Sequence, residues 1–318
     1  MLATMCPLSL TPALSLLLRR RHVHRSAVDL PLSSSNFSLH CFSPKPPPTL
    51  PLHFLYRAPH APTARTSSPS FTPRAAAGGA LLQDAGATAA VLAGAYCLVL
   101  AFDTLTERKL IKQKLSRKLV HILSGLLFAI SWPIFSTSNV ARYFASLVPL
   151  VNCLRLVIYG RSLATDEGLV KSLTREGNPE ELLRGPLYYV LILMLCALVF
   201  WRESPVGVIS LAMMCGGDGV ADIMGRRFGL IKLPYNRQKS WVGSISMFIS
   251  GFLISIGMLY YYSALGYLRL NWMSTIQRVA WVALVATIVE SLPTTETVDD
   301  NLSVPLISMV VTYLSFGF

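Results

Sequence analysis

Charge is what this chain has least of. Only 14% of its 318 residues are Asp, Glu, Lys or Arg, while 53% are hydrophobic and the mean hydropathy is +0.51. Soluble domains carry charge at about a quarter of their positions, so this composition excludes a soluble enzyme and marks a protein of the bilayer. Paired cysteines are missing too: Cys97, Cys153, Cys196 and Cys215 are scattered through apolar stretches, and Cys6 and Cys41 fall near the N-terminus. That spacing excludes a disulfide framework and a zinc site. There is no Walker-A string and no kinase glycine loop, so the familiar soluble routes to a nucleotide are absent as well. The net charge of +12 hints at nucleic acid, but residues 1–74 hold eight Lys/Arg against the single acid Asp29, more than half of the excess. The remaining residues keep no basic surplus large enough to suggest a nucleic-acid face, and no nucleic-acid partner is expected.

What residues 1–74 do contain is twelve Pro, eleven Ser, five of the six His and the cluster Arg19, Arg20, Arg21 and Arg25. No periodicity in them is long enough to build a core, which is the composition of a disordered segment. The apolar run Leu14–Leu18 is short and is followed by arginines, unlike a secretory signal; an Arg/Ser-rich, acid-poor leader is the organelle transit type. Its Pro and Ser content favours the plastid. The expected division is a chloroplast transit peptide over 1–74, cleaved near Arg74–Ala77, and a membrane-embedded domain over 75–318.

A helix crosses the hydrocarbon core in about 20 apolar residues. Eight candidates stand near 85–104, 119–136, 140–159, 186–201, 205–224, 243–265, 279–292 and 302–317, the third made amphipathic by Arg142, Asn152 and Arg155. The expected fold is therefore all-α, a polytopic integral membrane bundle of about eight transmembrane helices. With the connections alternating between two sides, 105–118, 160–185, 225–242 and 293–301 share one side and hold fifteen Lys/Arg, whereas the other side receives only Arg142, Arg202, Arg269 and Arg278. The positive-inside rule selects one orientation, and a missed or extra span would have divided the basic connections between the sides.

The densest polar string runs from Cys215 through Gly216, Gly217, Asp218, Gly219, Asp222, Gly225, Arg226 and Arg227 to Gly229, then on through Lys232, Arg237, Lys239 and Gly243. Asp218 and Asp222 are four apart, so on a helix they share a face and can reach one divalent cation. A carboxylate pair at membrane depth without a cation would be strongly unfavourable. The glycines permit close backbone approach to phosphate oxygens, and Arg226, Arg227, Arg237 and Lys239 supply the cations that polyphosphate needs. Helix packing accounts for any one glycine and membrane anchoring for any one arginine, but neither requires the whole string. Metal plus phosphates is the chemistry it suggests.

Two further segments fall on the same side. Arg117-Lys118-Leu-Val-His121 carries the only histidine outside the leader, and Glu290 leads through Thr294, Thr295 and Glu296 to Asp299, Asp300 and Asn301. Acids on a generally basic side are candidates for a second metal contact or for taking a hydroxyl proton. An ion-coupled transporter with Asp218 and Asp222 on its path is a competing reading, although it needs no Arg, Lys and Gly run directly after the acids. A cytidylyltransferase making CDP-activated lipid needs the same metal and nucleotide and differs in its product.

The string Gly217-Asp218-Gly-Val-Ala-Asp222-Ile-Met-Gly225-Arg226-Arg-Phe-Gly229, followed by Asn236-Arg237-Gln-Lys239-Ser240-Trp-Val-Gly243, resembles the signature of the polyprenol kinases, the membrane group of dolichol, farnesol and phytol kinases. The resemblance extends to 117–121, 182–189, 290–293 and 299–305, and within the group it leans to the phytol kinases of plant chloroplasts. It implies transfer of the terminal phosphate of a nucleoside triphosphate, with CTP favoured, to the hydroxyl of phytol for tocopherol synthesis. Farnesol and geranylgeraniol are the alternative alcohols. It also implies Mg2+ held by Asp218, Asp222 and Asp299, catalysis by Asp218, Asp222, Glu290 and Lys239, and nucleotide contacts from Gly217, Gly219, Gly225, Arg226, Gly229, Arg237, Lys239, Ser240, Gly243, Lys118 and His121. Val242 departs from the pattern, since several members carry an acid there; Glu290 or Asp299 would have to stand in. A prenyl alcohol of about twenty carbons gains roughly 0.8 kcal/mol per buried CH2, so it stays in the bilayer and the enzyme must meet it there.

Overall fold

The computed structural model describes residues 73–164, 170, 173, 174, 177–293 and 299–317, within one compact unit, Ser67–Phe318. The expected transit peptide, apart from its last two residues, lies outside the described residues, as do Thr294, Thr295 and Glu296.

Eight long helices carry the described chain: α1 (Pro73–Glu107), α2 (Gln113–Ser131), α3 (Ala141–Gly160), α4 (Gly185–Leu195, prolonged by a π turn over Cys196–Phe200), α5 (Pro205–Phe228), α6 (Trp241–Ala264), α7 (Trp272–Ser291) and α8 (Asp300–Phe316). Each of the eight expected apolar segments falls on one of them. Six are long and apolar enough to cross a membrane; α2, with Lys114, Arg117 and Lys118 in its first turns, and the 17-residue α8 fall outside that set. The expected first residue of α7 was 279, but the helix starts at Trp272, because the Asn271 side chain caps it by accepting from Ser274 N. The expected cleavage point at Arg74–Ala77 falls in the first turns of α1.

Helix α5 forms the middle of the bundle. In its most apolar stretch 83% of residues are buried, against 17–39% in the other five candidate spans, so it meets protein where they present a face to their surroundings. Small residues make that possible. A Cβ on Gly217 would come 3.5 Å from the Gly251 Cα of α6, and one on Gly225 would come 3.4 Å from the Gly243 Cα, so α5 and α6 touch nearly backbone to backbone. Within α5 the segment Ala212–Asp218 is π-helical, which locally widens the helix just before its first acid.

The connections gather at two ends. At one end Lys118 meets Asp218, and Asn236 donates from its side chain to the carbonyls of Ser291 and Leu292, both at 3.1 Å. At the other, the fully buried Asp84 accepts from Ser136 N at 2.7 Å and Ser136 Oγ at 2.8 Å. Beside it Arg202 donates to the carbonyls of Trp132, Phe135 and Ser136 and lies over the Tyr267 ring. The end that holds 225–242, the last turn of α7 and the start of α8 is the one assigned the basic loops; the Arg202 end is the poorer one.

Candidate active site

The π turn and the following α-helical turns of α5 aim Asp218 and Asp222 at α2. Lys118 Nζ lies 3.0 Å from Asp218 Oδ2 and 4.0 Å from Asp222 Oδ2, so the two acids share a face as their spacing predicts, with an ammonium group between them. Asp222 is also held by Arg226 Nε at 2.7 Å, one turn along the same helix. The loop after α5 turns back through the Lys232–Ser240 bridge and delivers Lys239, whose Nζ lies 2.5 Å from Glu290 Oε1 and 2.7 Å from Asp300 Oδ2. Burial works against the Lys239 charge, but Asp300 and Glu290, with Asp218 beyond them, outweigh it and hold the ammonium above its ordinary value.

Three elements thus bring carboxylates to one point. One oxygen each of Asp218, Glu290 and Asp300 lies within 4.8 Å of the others. Glu290 is only 4% exposed, so it is no end-of-helix acid reaching for solvent. Among the described residues Glu290 Oε2 and Asp300 Oδ1 are buried with no hydrogen-bond partner. Like charges this close repel, and two orphaned acceptors beside them make a donor set suited to a divalent cation with oxygen ligands.

The structure assembles some expected site residues and separates others. Asp218 and Glu290 converge, while Asp222 lies on the Lys118 and Arg226 side. Asp299 caps α8, its Oδ1 accepting from Asn301 N and Nδ2 at 2.8 Å each, and its neighbour Asp300 takes the place in the cluster. Adjacent residues at a helix start point in different directions, which the run Asp-Asp-Asn does not disclose. The glycines expected to meet phosphate lie in close packing contacts. Gly217, Gly225 and Gly243 are spent on the α5–α6 contact, Gly219 packs on Ile122, and Gly229 closes against Ser240. Ser240 is the buried N-cap of α6, its Oγ accepting from Gly243 N at 3.1 Å. These positions serve close packing. Arg226 and Arg237 are exposed on the loop side.

His121 joins a second cluster that its lone occurrence could not announce. Its ring lies 4.2 Å from that of Tyr189, whose hydroxyl donates to the His121 carbonyl at 2.8 Å and meets Ser124 Oγ at 3.1 Å. Lys118, His121, Tyr189, Arg184, Asp299 and Asn301 line the polar part of a cavity of about 810 Å³, to which α1 adds apolar side chains and α3 both apolar and polar ones. Tyr189, Arg184 and Asn301 lay in the strings singled out in the sequence, but no helical spacing joins them. Only the meeting of α2, α4 and α8 does.

A bundle of membrane-length helices that gathers carboxylates and lysines at one end of its central helix, beside an amphipathic cavity, has the outline of an enzyme acting on a lipid with a charged co-substrate. The chain is 69% identical over 236 residues to the probable chloroplastic phytol kinase 1 of Glycine max, covering 74% of this chain and 78% of that one. It is 66% identical over 244 residues to the chloroplastic phytol kinase 1 of Arabidopsis thaliana (77% and 80%) and 63% identical over 243 residues to the probable chloroplastic phytol kinase of Zea mays (76% and 80%). The chain belongs to the family of plant chloroplastic phytol kinases. No family model and no solved structure matches it.

Proposed function

We propose that the chain is a chloroplast membrane phosphotransferase that moves the terminal phosphate of a nucleoside triphosphate, CTP in our reading, to the hydroxyl of phytol, with all eight helices spanning the bilayer. The relatives named above are phytol kinases, and this reading extends their activity to the chain. The structural observation that carries it is the convergence of Asp218, Glu290 and Asp300 within 4.8 Å, next to two lysines and an amphipathic cavity.

Asp218, Glu290 and Asp300 would hold Mg2+, and an ion there would neutralise charge on the phosphoryl oxygens during transfer. The chain's own groups do the rest. Lys118, on the cavity wall, and Lys239, from the loop, present cations to the donor phosphates at the polar end. Asp299 takes the alcohol proton. Asn301 holds its Oδ1 from two nitrogens, and its Oδ2 lies beside Gly185 on the cavity wall, where a Cβ would come within 3.1 Å of it. Gly185 keeps that approach open. As the hydroxyl oxygen bonds to phosphorus, its proton passes to Asp299 and the bond to the nucleoside diphosphate breaks.

Membranes holding the full chain, given phytol and terminally labelled CTP, ATP, GTP or UTP, should yield labelled phytyl phosphate and nucleoside diphosphate, with CTP the best donor. Release of pyrophosphate would mean cytidylyl transfer. Absence of phytyl phosphate with every donor would overturn the reading.

A further inference from the structure

We infer that the cavity among α1, α3 and α4 is the binding site for the isoprenoid chain of the alcohol, entered sideways from the bilayer between α1 and α3; this rests on the phytol kinase reading. Along α1 the positions Leu92, Ala95, Tyr96 and Val99 recur at three and four, so one helical stripe, about 10 Å long at 1.5 Å per residue, faces the cavity. Val151 of α3 and Val190 of α4 complete the apolar wall.

Two features of this wall set it apart from an ordinary gap between helices. Its rim is apolar and open: Tyr96 is 57% and Val151 48% exposed, on helices whose outer faces meet lipid in a membrane. Its far side is polar and leads to the reacting groups, since Lys118 lines the cavity and also holds Asp218, and Asp299 lines it one residue from Asp300. Of the two polar residues of α3 that line the cavity, Arg155 has its guanidinium 5.9 Å from the Tyr159 ring centroid, one turn nearer the basic end, and Asn152 donates to the Val148 carbonyl of its own helix at 3.4 Å.

One cavity that passes from an apolar, lipid-facing rim to a cationic interior matches a molecule with a hydrocarbon chain and a single hydroxyl. A nucleotide would leave the α1 stripe without a partner. The volume of about 810 Å³ lies in the usual range for a small-molecule site. Lipid tails are as apolar as the wall, so moving the chain from bilayer to cavity contributes little affinity by itself. The wall acts by alignment: it holds the carbons next to the hydroxyl so that the oxygen points at Asp299 and Lys118. Leu92, Val99 and Val190 are thereby assigned as residues that determine which alcohol is accepted.

Leu92→Trp and Val190→Trp, each made in the full chain and assayed in membranes, test this. Filling the wall should raise the apparent KM for phytol by about tenfold or more while the KM for the nucleotide stays unchanged, and the shorter alcohol geraniol should be less affected. Unchanged alcohol KM in both variants, or a shift confined to the nucleotide, would overturn the assignment. A second measurement does not depend on turnover or on how the variants fold. A photoactivatable diazirine analogue of phytol, irradiated with the wild-type chain in membranes, should label 92–99 of α1 and 151–156 of α3, and excess phytol should suppress the labelling. Labelling elsewhere, or labelling that phytol does not compete, would overturn it. Wild-type protein that is labelled competitively at these segments yet forms no phytyl phosphate would instead sink the kinase reading and leave the chain site standing.

Discussion

Lys239 and Glu290 stand 51 positions apart and meet at 2.5 Å, joining the loop after the central helix to the last turn of α7. The same ammonium reaches Asp300 at 2.7 Å, so one lysine ties the last turn of α7 to the first residue of α8. Its charge balances two acids that would otherwise repel each other and Asp218, and its removal should be felt in stability before it is felt in chemistry.

Lys239→Ala leaves Glu290 and Asp300 partly buried without their cation, which costs about 3–5 kcal/mol when a buried pair is broken on one side. The melting temperature of the purified protein in detergent should fall, and Mg2+ without nucleotide should restore more of it than in wild type, because a divalent cation replaces the lost charge. A melting temperature that does not respond to Mg2+ in the variant would remove the metal assignment.

The pH dependence of that difference follows from the direction of the Lys239 shift. Its folded value is raised above the ordinary lysine value of about 10.4. Its contribution is therefore complete below the ordinary value and is lost only as pH rises through the higher folded one. Melting curves of wild type and Lys239→Ala should differ by a constant amount from neutral pH to mildly alkaline pH and converge only in strong alkali. Convergence near neutrality would show that Lys239 is not held by the two acids.

The acids should separate in rank. Asp218→Asn, Glu290→Gln and Asp300→Asn should each lower phytyl phosphate formation by about a hundredfold or more, with the protein still inserted. Asp222→Asn should cost about tenfold or less, since Asp222 shares Lys118 only at 4.0 Å and is otherwise paired with the exposed Arg226. Asp299→Asn should lower kcat and leave both KM values near wild type. An Asp222 variant as impaired as the Asp218 variant would return the site to two acids of one helix.

Gly243→Val should lower the amount of folded protein, because a Cβ there meets the Ala221 carbonyl and Ser240 Oγ at 3.2 Å. Whatever enzyme remains should keep the wild-type nucleotide KM. A selective rise in that KM would restore the glycine to phosphate binding.

At the opposite end Arg202, 2% exposed, satisfies three backbone carbonyls at once. Arg202→Ala should destabilise by about 3 kcal/mol or more, through several unpaired buried acceptors, with no change in either KM of the surviving protein. Thermal unfolding together with steady-state kinetics checks both halves.

The helices were legible because the signal is local: a run of about 20 apolar residues is a property of the segment itself. The Asp218–Asp222 face was legible for the same reason, being set by helical repeat alone. The meeting of Asp218 with Glu290 and Asp300 was not, since it depends on how α5, α7 and α8 pack and on which of two adjacent aspartates a helix start turns inward. The glycines show the difference most directly. Their abundance in one string suited phosphate binding and close packing equally, and the fold sets Gly217 and Gly225 of α5 against Gly251 and Gly243 of α6, where an added Cβ would come 3.4–3.5 Å from the facing Cα. The sequence by itself therefore determined a membrane bundle with acids and cations at one end, because hydropathy and charge act residue by residue. Tertiary structure decided which acids converge and where a lipid chain can enter, because those depend on side chains from distant segments brought within a few ångströms.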